Sequence, residues 1–220
     1  MSKRAVVLAL AASFIFCVQA SAQNWEANRN QVTLGFGYFT PKSSASNVDF
    51  QNSAAFVVDY RYFFAKYWAF GFDYQYARPD VKTRYPHPPY AELTTSLPLH
   101  AFTGLVQYRF LNKTSLEPYV GAGVNLMATS SDSTKQFFPE SGAGYIRVTP
   151  VANFDWGAMV QAGLDWKIKE YWVLNFDVRY IDNALSMDAW HPYHGGYIRG
   201  GDYKLDVNPM TYSLSFGFRW

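Results

Sequence analysis

The chain has 220 residues, of which 49% are hydrophobic, 19% aromatic and only 16% charged. This length suits a single domain, and a chain so rich in aromatic residues is not disordered. The 19 basic and 17 acidic residues leave a formal net charge of +2, so we expect no nucleic-acid partner. Mean hydropathy is slightly negative, which excludes a bundle of apolar membrane helices.

Residues 1–22 have the pattern of a cleaved signal peptide. Lys3 and Arg4 supply a short positive segment, residues 5–18 are apolar, and residues 20–22 are the small residues that a signal peptidase accepts. The apolar stretch is shorter than the ~20 residues needed to span a bilayer, and it lacks the polar face of an amphipathic helix. We therefore expect export, a single domain over residues 23–220, and no disulfides, because Cys17 lies in the removed segment.

Eight later blocks alternate apolar residues with glycine, polar or charged residues. They cover residues 31–38, 56–64, 68–76, 102–110, 120–126, 155–167, 172–180 and 210–220. A period of two is typical of β-strands, because successive side chains point to opposite faces. In the third, sixth, seventh and eighth blocks, Trp or Tyr stands at one or both ends of the apolar face. This placement is typical of the aromatic girdles of membrane barrels.

The connections between these blocks alternate in length. Residues 65–66, 111–117 and 169–171 are short connections, whereas residues 40–52, 77–97, 130–150 and 182–202 are long ones. A soluble β-sandwich would also alternate, but the girdles and the two kinds of connection favour a bacterial outer-membrane protein. We predict an all-β fold, an eight-stranded antiparallel transmembrane β-barrel with short periplasmic turns and long extracellular loops. Outer-membrane lipids and lipopolysaccharide are then its expected surroundings.

The inward positions of the predicted barrel carry five acids and five bases. They are Asp59, Asp73, Asp155, Asp165, Asp177, Arg61, Arg109, Lys167, Arg179 and Arg219. An unpaired charge in a narrow interior is very costly, so equal numbers of both signs predict a paired network that closes the periplasmic half. Eight strands also leave an interior that side chains nearly fill, which disfavours a general diffusion pore.

The inward positions of the outer half are apolar or small: Leu99, Ala101, Leu105, Met127, Met159 and Gly157. Apolar residues facing a lumen indicate a pocket or short channel for a small hydrophobic ligand. They are equally consistent with side chains that only pack the upper barrel. The sequence leaves both interpretations open.

Several strings resemble the OmpW family of small outer-membrane barrels. They are residues 118–125, 155–157, 161–166, Trp172 with 174–175, 180–182 and 206–209. This resemblance implies an eight-stranded barrel that acts as a channel or receptor for small hydrophobic molecules. It also implies that these molecules leave sideways into the bilayer rather than through the periplasmic floor.

One departure from the family concerns the middle of the lumen. Family members tend to be apolar there, whereas Asp73 on the third strand and Arg179 on the seventh point inward at similar heights. If the two residues pair, the floor of any hydrophobic pocket lies higher or is more polar than is usual in the family.

The last strand ends in alternating aromatic residues, Phe216, Phe218 and Trp220. This ending resembles the terminal signal by which outer-membrane proteins are recognised for assembly, although Phe is the usual last residue. We therefore expect the barrel assembly machinery to be a partner.

No pattern indicates a cofactor, and other chemistries have little support. His191 and His194 are closely spaced but lack the further ligands of a metal site. Ser96 and His100 have no third partner at a catalytic spacing, so we predict no enzyme. The alternative to transport is a structural or surface-interaction barrel whose loops bind a partner. The sequence leaves the oligomeric state open.

Overall fold

A computed structural model describes residues 29–42, 48–84, 92–110, 114–129, 134–137, 145–149, 154–169, 171–193 and 196–220. The predicted signal peptide, with Cys17, and the histidine at position 194 lie outside these residues. Within them, no helix is long and apolar enough to cross a membrane.

The described residues form fourteen strands. They are β1 (Asn30–Thr40), β2 (Val48–Phe50), β3 (Ser53–Ala65), β4 (Trp68–Ala77), β5 (Asp80–Arg84), β6 (Glu92–Ser96), β7 (Leu99–Arg109), β8 (Leu116–Thr129), β9 (Thr134–Phe137), β10 (Tyr145–Thr149), β11 (Phe154–Lys167), β12 (Trp172–Tyr193), β13 (Gly196–Val207) and β14 (Met210–Arg219).

Eight of these strands close into a barrel. The order around it is β1, β3, β4, β7, β8, β11, β12 and β14, and every neighbouring pair is antiparallel. Closure comes from β14 pairing with β1, from Gln31↔Arg219 to Thr40↔Met210. Because the cylinder has no free edge, the backbone groups of the spanning strands are paired within it. The predicted eight-stranded antiparallel barrel is confirmed.

The prediction that the long connections are loops is wrong in part. β2, β5 and β6 form a small sheet above one side of the barrel. β12 continues past Asp182 to Tyr193, pairs there with β13, and also pairs with β10, which pairs with β9. His191 therefore lies in a strand rather than a loop. Outside the membrane neither face of a strand has to be apolar, so the period-two signal fades although the pairing continues.

Burial follows the predicted faces along the spanning strands. Phe36 is 73% exposed and Trp156 71% exposed on the outer face, whereas Thr33 and Asn125 on the inner face are almost fully buried. The outer surface is thus apolar and the interior polar, the reverse of a soluble protein and the arrangement that a bilayer requires.

The residues of the expected assembly signal lie on the outer face near the periplasmic rim. The ring of Phe216 stacks on that of Trp172 at 5.0 Å, and the ring of Phe218 stacks on Tyr171 at 5.6 Å and on Trp220 at 5.9 Å. These rings form an aromatic belt. Their part in assembly remains a prediction.

Candidate functional site in the lumen

The periplasmic half of the lumen is filled by charged side chains that we call the lumen floor. Its members are Asp59, Arg61, Asp73, Arg109, Glu117, Asp165, Lys167, Asp177, Arg179 and Arg219. All but Lys167 are buried. Five carboxylates face five cations, so the floor is electrically neutral as a whole.

The upper layer of the lumen floor is organised around Arg179. Its Nη2 atom lies 2.7 Å from Asp59 Oδ1, its Nη1 atom lies 3.4 Å from Asp73 Oδ2, and its Nε–H donates to Asp177. Arg61 forms a second ion pair with Asp73. Arg179 on β12 and Asp73 on β4 are four strands apart in a ring of eight, so their contact crosses the full width of the lumen.

The lower layer is organised around Asp165 and Glu117. Arg109 Nη2 donates to Glu117 Oε2 at 2.7 Å and also to Asp165. Arg219 lies 3.1 Å from Glu117 and 3.5 Å from Asp165, and Lys167 pairs with Glu117 at the rim. Each of these two carboxylates therefore has at least two cationic partners, which offsets the cost of burying it.

Tyr119 and Asn175 join the two layers. The Tyr119 hydroxyl donates to Asp177 Oδ2 at 2.8 Å and accepts a hydrogen bond from Asn175 Nδ2 at 2.7 Å. Asn175 Nδ2 also donates to Asp165 Oδ1 at 2.6 Å. Hydrogen bonds thus connect the layers, and the lumen floor behaves as one network rather than as isolated ion pairs.

A glycine makes room for the Tyr119 ring. A Cβ added at Gly163 would collide with the end of that ring and lie 2.6 Å from the carbonyl oxygen of Phe176. Only glycine at this position lets a phenol occupy the inner wall beside β11.

One aromatic ring also lies beneath the lower layer. The guanidinium groups of Arg109 and Arg219 lie 4.8 and 4.6 Å from the centre of the Phe63 ring. Gln31 contributes further: its Oε1 atom accepts from Arg219 at 2.7 Å, and its Nε2 atom donates to Asp165 at 3.1 Å. These contacts hold the arginines in one orientation.

The network prediction named many of these residues but missed others. Asp59, Arg61, Arg109, Asp165, Lys167, Asp177 and Arg219 all lie in the lumen floor, together with Asp73 and Arg179. Glu117 was assigned to a short turn, which is wrong, because β8 begins at Leu116. Continuing the alternation of the fifth block backwards from Val120 would have placed Tyr119 and Glu117 inside. Asp155 lies at the outer end of β11, in register with Met127 and away from the floor.

The outer half of the lumen holds a buried apolar cluster, which we call the upper cluster. The predicted residues Leu99, Ala101, Leu105, Met127 and Met159 belong to it and are each 1–5% exposed. The other members are Phe39, Phe50, Ala55, Ala77, Val81, Leu97, Ile181 and Val207. Such low exposure means that in this conformation the five predicted residues pack against their neighbours.

The small sheet covers the upper cluster from outside. Phe50 on β2 and Val81 on β5 belong to that sheet, and both are buried in the cluster with Leu99 and Ala101 of β7. The lumen is therefore closed at the outer end by apolar contacts and at the periplasmic end by ion pairs.

The regular ladder between β1 and β14 reaches its outer end beside the upper cluster. The last register pair is Thr40 with Met210, and Pro41 and Pro209 come next on the two strands. The two prolines occupy a non-hydrogen-bonded position of this antiparallel ladder, because the backbone bonds of the seam fall at the alternate pairs. Neither missing N–H group therefore removes a bond from the seam.

The register continues above the prolines with one bond, from Asn208 N–H to the Lys42 carbonyl oxygen at 3.1 Å. On the inner face the same level is lined by Phe39, Ile181 and Val207, all members of the upper cluster. The outer end of this seam thus adjoins the apolar half of the lumen.

The residues considered for catalysis have other partners. Ser96 Oγ donates to Asp80 Oδ1 at 2.5 Å, whereas His100 Nδ1 lies 3.0 Å from the Tyr74 hydroxyl. The structure thus does not assemble Ser96 and His100 as a nucleophile with its base.

Comparison with known proteins agrees with the closed barrel. A family model described as the outer membrane protein beta-barrel domain matches residues 8–219. The chain belongs to this family of outer-membrane β-barrels. Its location is the bacterial outer membrane, as predicted.

Outer membrane protein W of Escherichia coli is 29% identical over 119 residues, which cover 54% of this chain and 52% of the relative. The chain spans about half the length of the curated relatives it matches first. The resemblance to the OmpW family is thereby confirmed.

Two solved structures share the fold. Neisserial surface protein A has a TM-score of 0.55 and 14% identity, covering 89% of this chain and 100% of that one. The outer membrane protein AlkL, solved in lipid bilayers, has a TM-score of 0.52 and 17% identity, covering 90% and 94%.

Proposed function

We propose that this barrel admits small hydrophobic molecules at its outer end and releases them sideways into the bilayer through the seam between β1 and β14. The observation that carries the proposal is the division of the lumen: an apolar upper cluster lies directly above a closed, charged floor. An apolar molecule gains from contact with the cluster but would have to disrupt paired buried charges to pass the floor.

The upper cluster has residues that can rearrange around a ligand. Met127 and Met159 are unbranched and adapt to irregular shapes, which suits a site that is packed when empty. Phe50 and Val81 belong to the small sheet and would have to move for a ligand to enter from outside.

The seam supplies a route out at the right height. Above the Thr40–Met210 pair, the described part of the seam has one backbone hydrogen bond, from Asn208 to Lys42, beside Phe39 and Val207 of the upper cluster. Separating the strands at this end of the ladder costs fewer backbone bonds than separating them in its middle. The floor directs the ligand to this side exit.

A reversible crosslink tests the route. Thr40 and Met210 are register partners just below the prolines, so T40C with M210C forms a disulfide that locks the seam. The barrel is expressed in cells that lack their own copy, and uptake of the fluorescent dye N-phenyl-1-naphthylamine is measured. We expect wild type to raise the uptake rate several-fold, the oxidised pair to return it to background, and a reductant to restore it.

The matched control locks the same seam nearer the periplasm. Phe36 and Leu214 are register partners on the same two strands, closer to the periplasm than Thr40 and Met210 and outside the expected assembly signal. Oxidised F36C with L214C should therefore leave uptake unchanged. Uptake that survives the Thr40–Met210 crosslink would contradict lateral release at this seam. Wild-type uptake no faster than that of cells without the barrel would contradict the transport function itself.

A further inference from the structure

The hairpin formed by β4 and β7 continues beyond the barrel into β5 and β6. Tyr76 pairs with His100 one rung before β4 and β7 end at Ala77 with Leu99, and Asp80 pairs with Ser96 at the first rung of the small sheet. Arg78 lies between these rungs, one residue after β4. Tyr74 and Tyr76 lie on the outer face below it, and outward tyrosines are typical of the level at which a barrel wall meets the lipid headgroups.

Two tyrosines position the His100 ring on the outer face. The Tyr74 hydroxyl lies 3.0 Å from His100 Nδ1, and the Tyr76 ring lies 5.1 Å from the imidazole, centre to centre. When the Tyr74 hydroxyl donates to Nδ1, the neutral imidazole has its proton on Nε2. A charged imidazolium also has a proton on Nε2. In both states His100 retains an N–H donor for a ligand.

Arg78 adds a positive charge beside this donor. It is a diagonal neighbour of His100 across the hairpin, a separation that a long side chain spans. Arg78 is exposed and, within the described part of the chain, it forms no ion pair. The nearby carboxylate of Asp80 accepts a hydrogen bond from Ser96 Oγ at 2.5 Å.

A guanidinium group and an imidazole N–H above two tyrosines make a suitable site for a phosphate. We propose that Arg78 and His100 bind a phosphate group of lipid A in the outer leaflet of the outer membrane. Arg binds phosphate through two parallel N–H groups, and the tyrosine rings contact the acyl and sugar region below. The positive charge of Arg78 favours an anionic headgroup. Because both residues lie on the outer face at the extracellular end of the barrel, that headgroup belongs to the outer leaflet. This site is independent of the lumen and of transport.

The test measures binding of defined lipids to the refolded full-length barrel in detergent. Native mass spectrometry compares bisphosphorylated lipid A with dephosphorylated lipid A that has the same acyl chains. We expect wild type to bind the phosphorylated form at least about tenfold more tightly, as one or two charge-assisted hydrogen bonds would give. R78Q with H100F, which keeps an aromatic ring at position 100, should reduce this preference to about twofold or less.

The control is K66Q, because Lys66 is an exposed cation in the β3–β4 turn at the periplasmic rim. It should bind lipid A as wild type does. If R78Q with H100F keeps the wild-type preference for phosphorylated lipid A, the proposal is overturned. Equal binding of phosphorylated and dephosphorylated lipid A by wild type overturns it as well, and this comparison does not require any variant to fold. Binding of phosphatidylglycerol that is as strong as that of phosphorylated lipid A and depends on Arg78 also overturns it, because the site would then bind any lipid phosphate.

Discussion

Arg179 and Asp73 stand on opposite walls of the barrel and meet across the lumen, with Arg179 Nη1 3.4 Å from Asp73 Oδ2. The contact joins strands that share no backbone pairing, so it ties the cylinder together at its middle. The same arginine also contacts Asp59 and Asp177, and no other side chain of the lumen floor pairs with three carboxylates in the described residues.

Replacing this arginine should weaken the barrel and open it. Arg179→Leu leaves buried carboxylates short of a partner, which we expect to lower the free energy of unfolding by ~3–5 kcal/mol. Planar-bilayer recordings should show a higher ion conductance than wild type. Lys167→Met, at the half-exposed edge of the floor, should have a smaller effect on both. Unchanged conductance in folded Arg179→Leu barrels would mean that this arginine does not close the lumen.

Glu117 should matter as much as the carboxylates that the sequence identified. Glu117→Gln removes the negative charge that faces Arg109, Arg219 and Lys167, and we expect a loss of ~2–4 kcal/mol in urea unfolding in detergent or lipid. Asp49→Asn changes an exposed carboxylate outside the floor and is the control. Equal stability of the two variants would show that the lower layer does not depend on Glu117.

Two glycines in the barrel wall, Gly104 on β7 and Gly163 on β11, should respond differently to alanine. Gly163→Ala places a methyl group against the Tyr119 ring and should cost ~1–3 kcal/mol through overpacking. At Gly104 an added Cβ meets nothing within 4 Å, so Gly104→Ala should be neutral or slightly stabilising. Thermal shift of the refolded barrel distinguishes the two, and a Gly163→Ala barrel as stable as Gly104→Ala would refute the close approach.

Removing a side chain from the upper cluster should lower stability and make room for a ligand. Met127→Ala removes a fully buried side chain, so we expect it to lower the free energy of unfolding by ~2–5 kcal/mol and to raise binding of the naphthylamine dye to the folded barrel. Leu126→Ala, on the lipid-facing side of the same strand, should leave dye binding unchanged. Weaker dye binding in Met127→Ala would argue that the methionine contacts the ligand rather than occupying its space.

The alternation along each strand was enough to place side chains inside or outside. Asp59, Arg109 and Asp165 all face the lumen as their positions predicted. Period two identifies a face but not a partner, because contacts across the lumen depend on how the strands are staggered when the cylinder closes. This is why the central position of Arg179 among three carboxylates, and the bridge made by Tyr119, emerged only from the structure.

The extracellular strands escaped prediction for a different reason. Residues 183–193 extend β12 past the last rung that it shares with β11, and a strand outside a bilayer needs no apolar face. Five members of the upper cluster were predicted from the sequence, but Phe50 and Val81 come from connections that the sequence presented as loops.

The hydrogen bond between Gln31 and Arg219 joins side chains 188 residues apart, on the first and last strands. Gln31 and Arg219 can bond to each other only after β14 has paired with β1. A partly inserted barrel therefore exposes unpaired charges to lipid, so incomplete intermediates are strongly disfavoured. Folding of this chain is expected to be cooperative and slow at its last step, when the two ends of the sheet join and the floor becomes neutral.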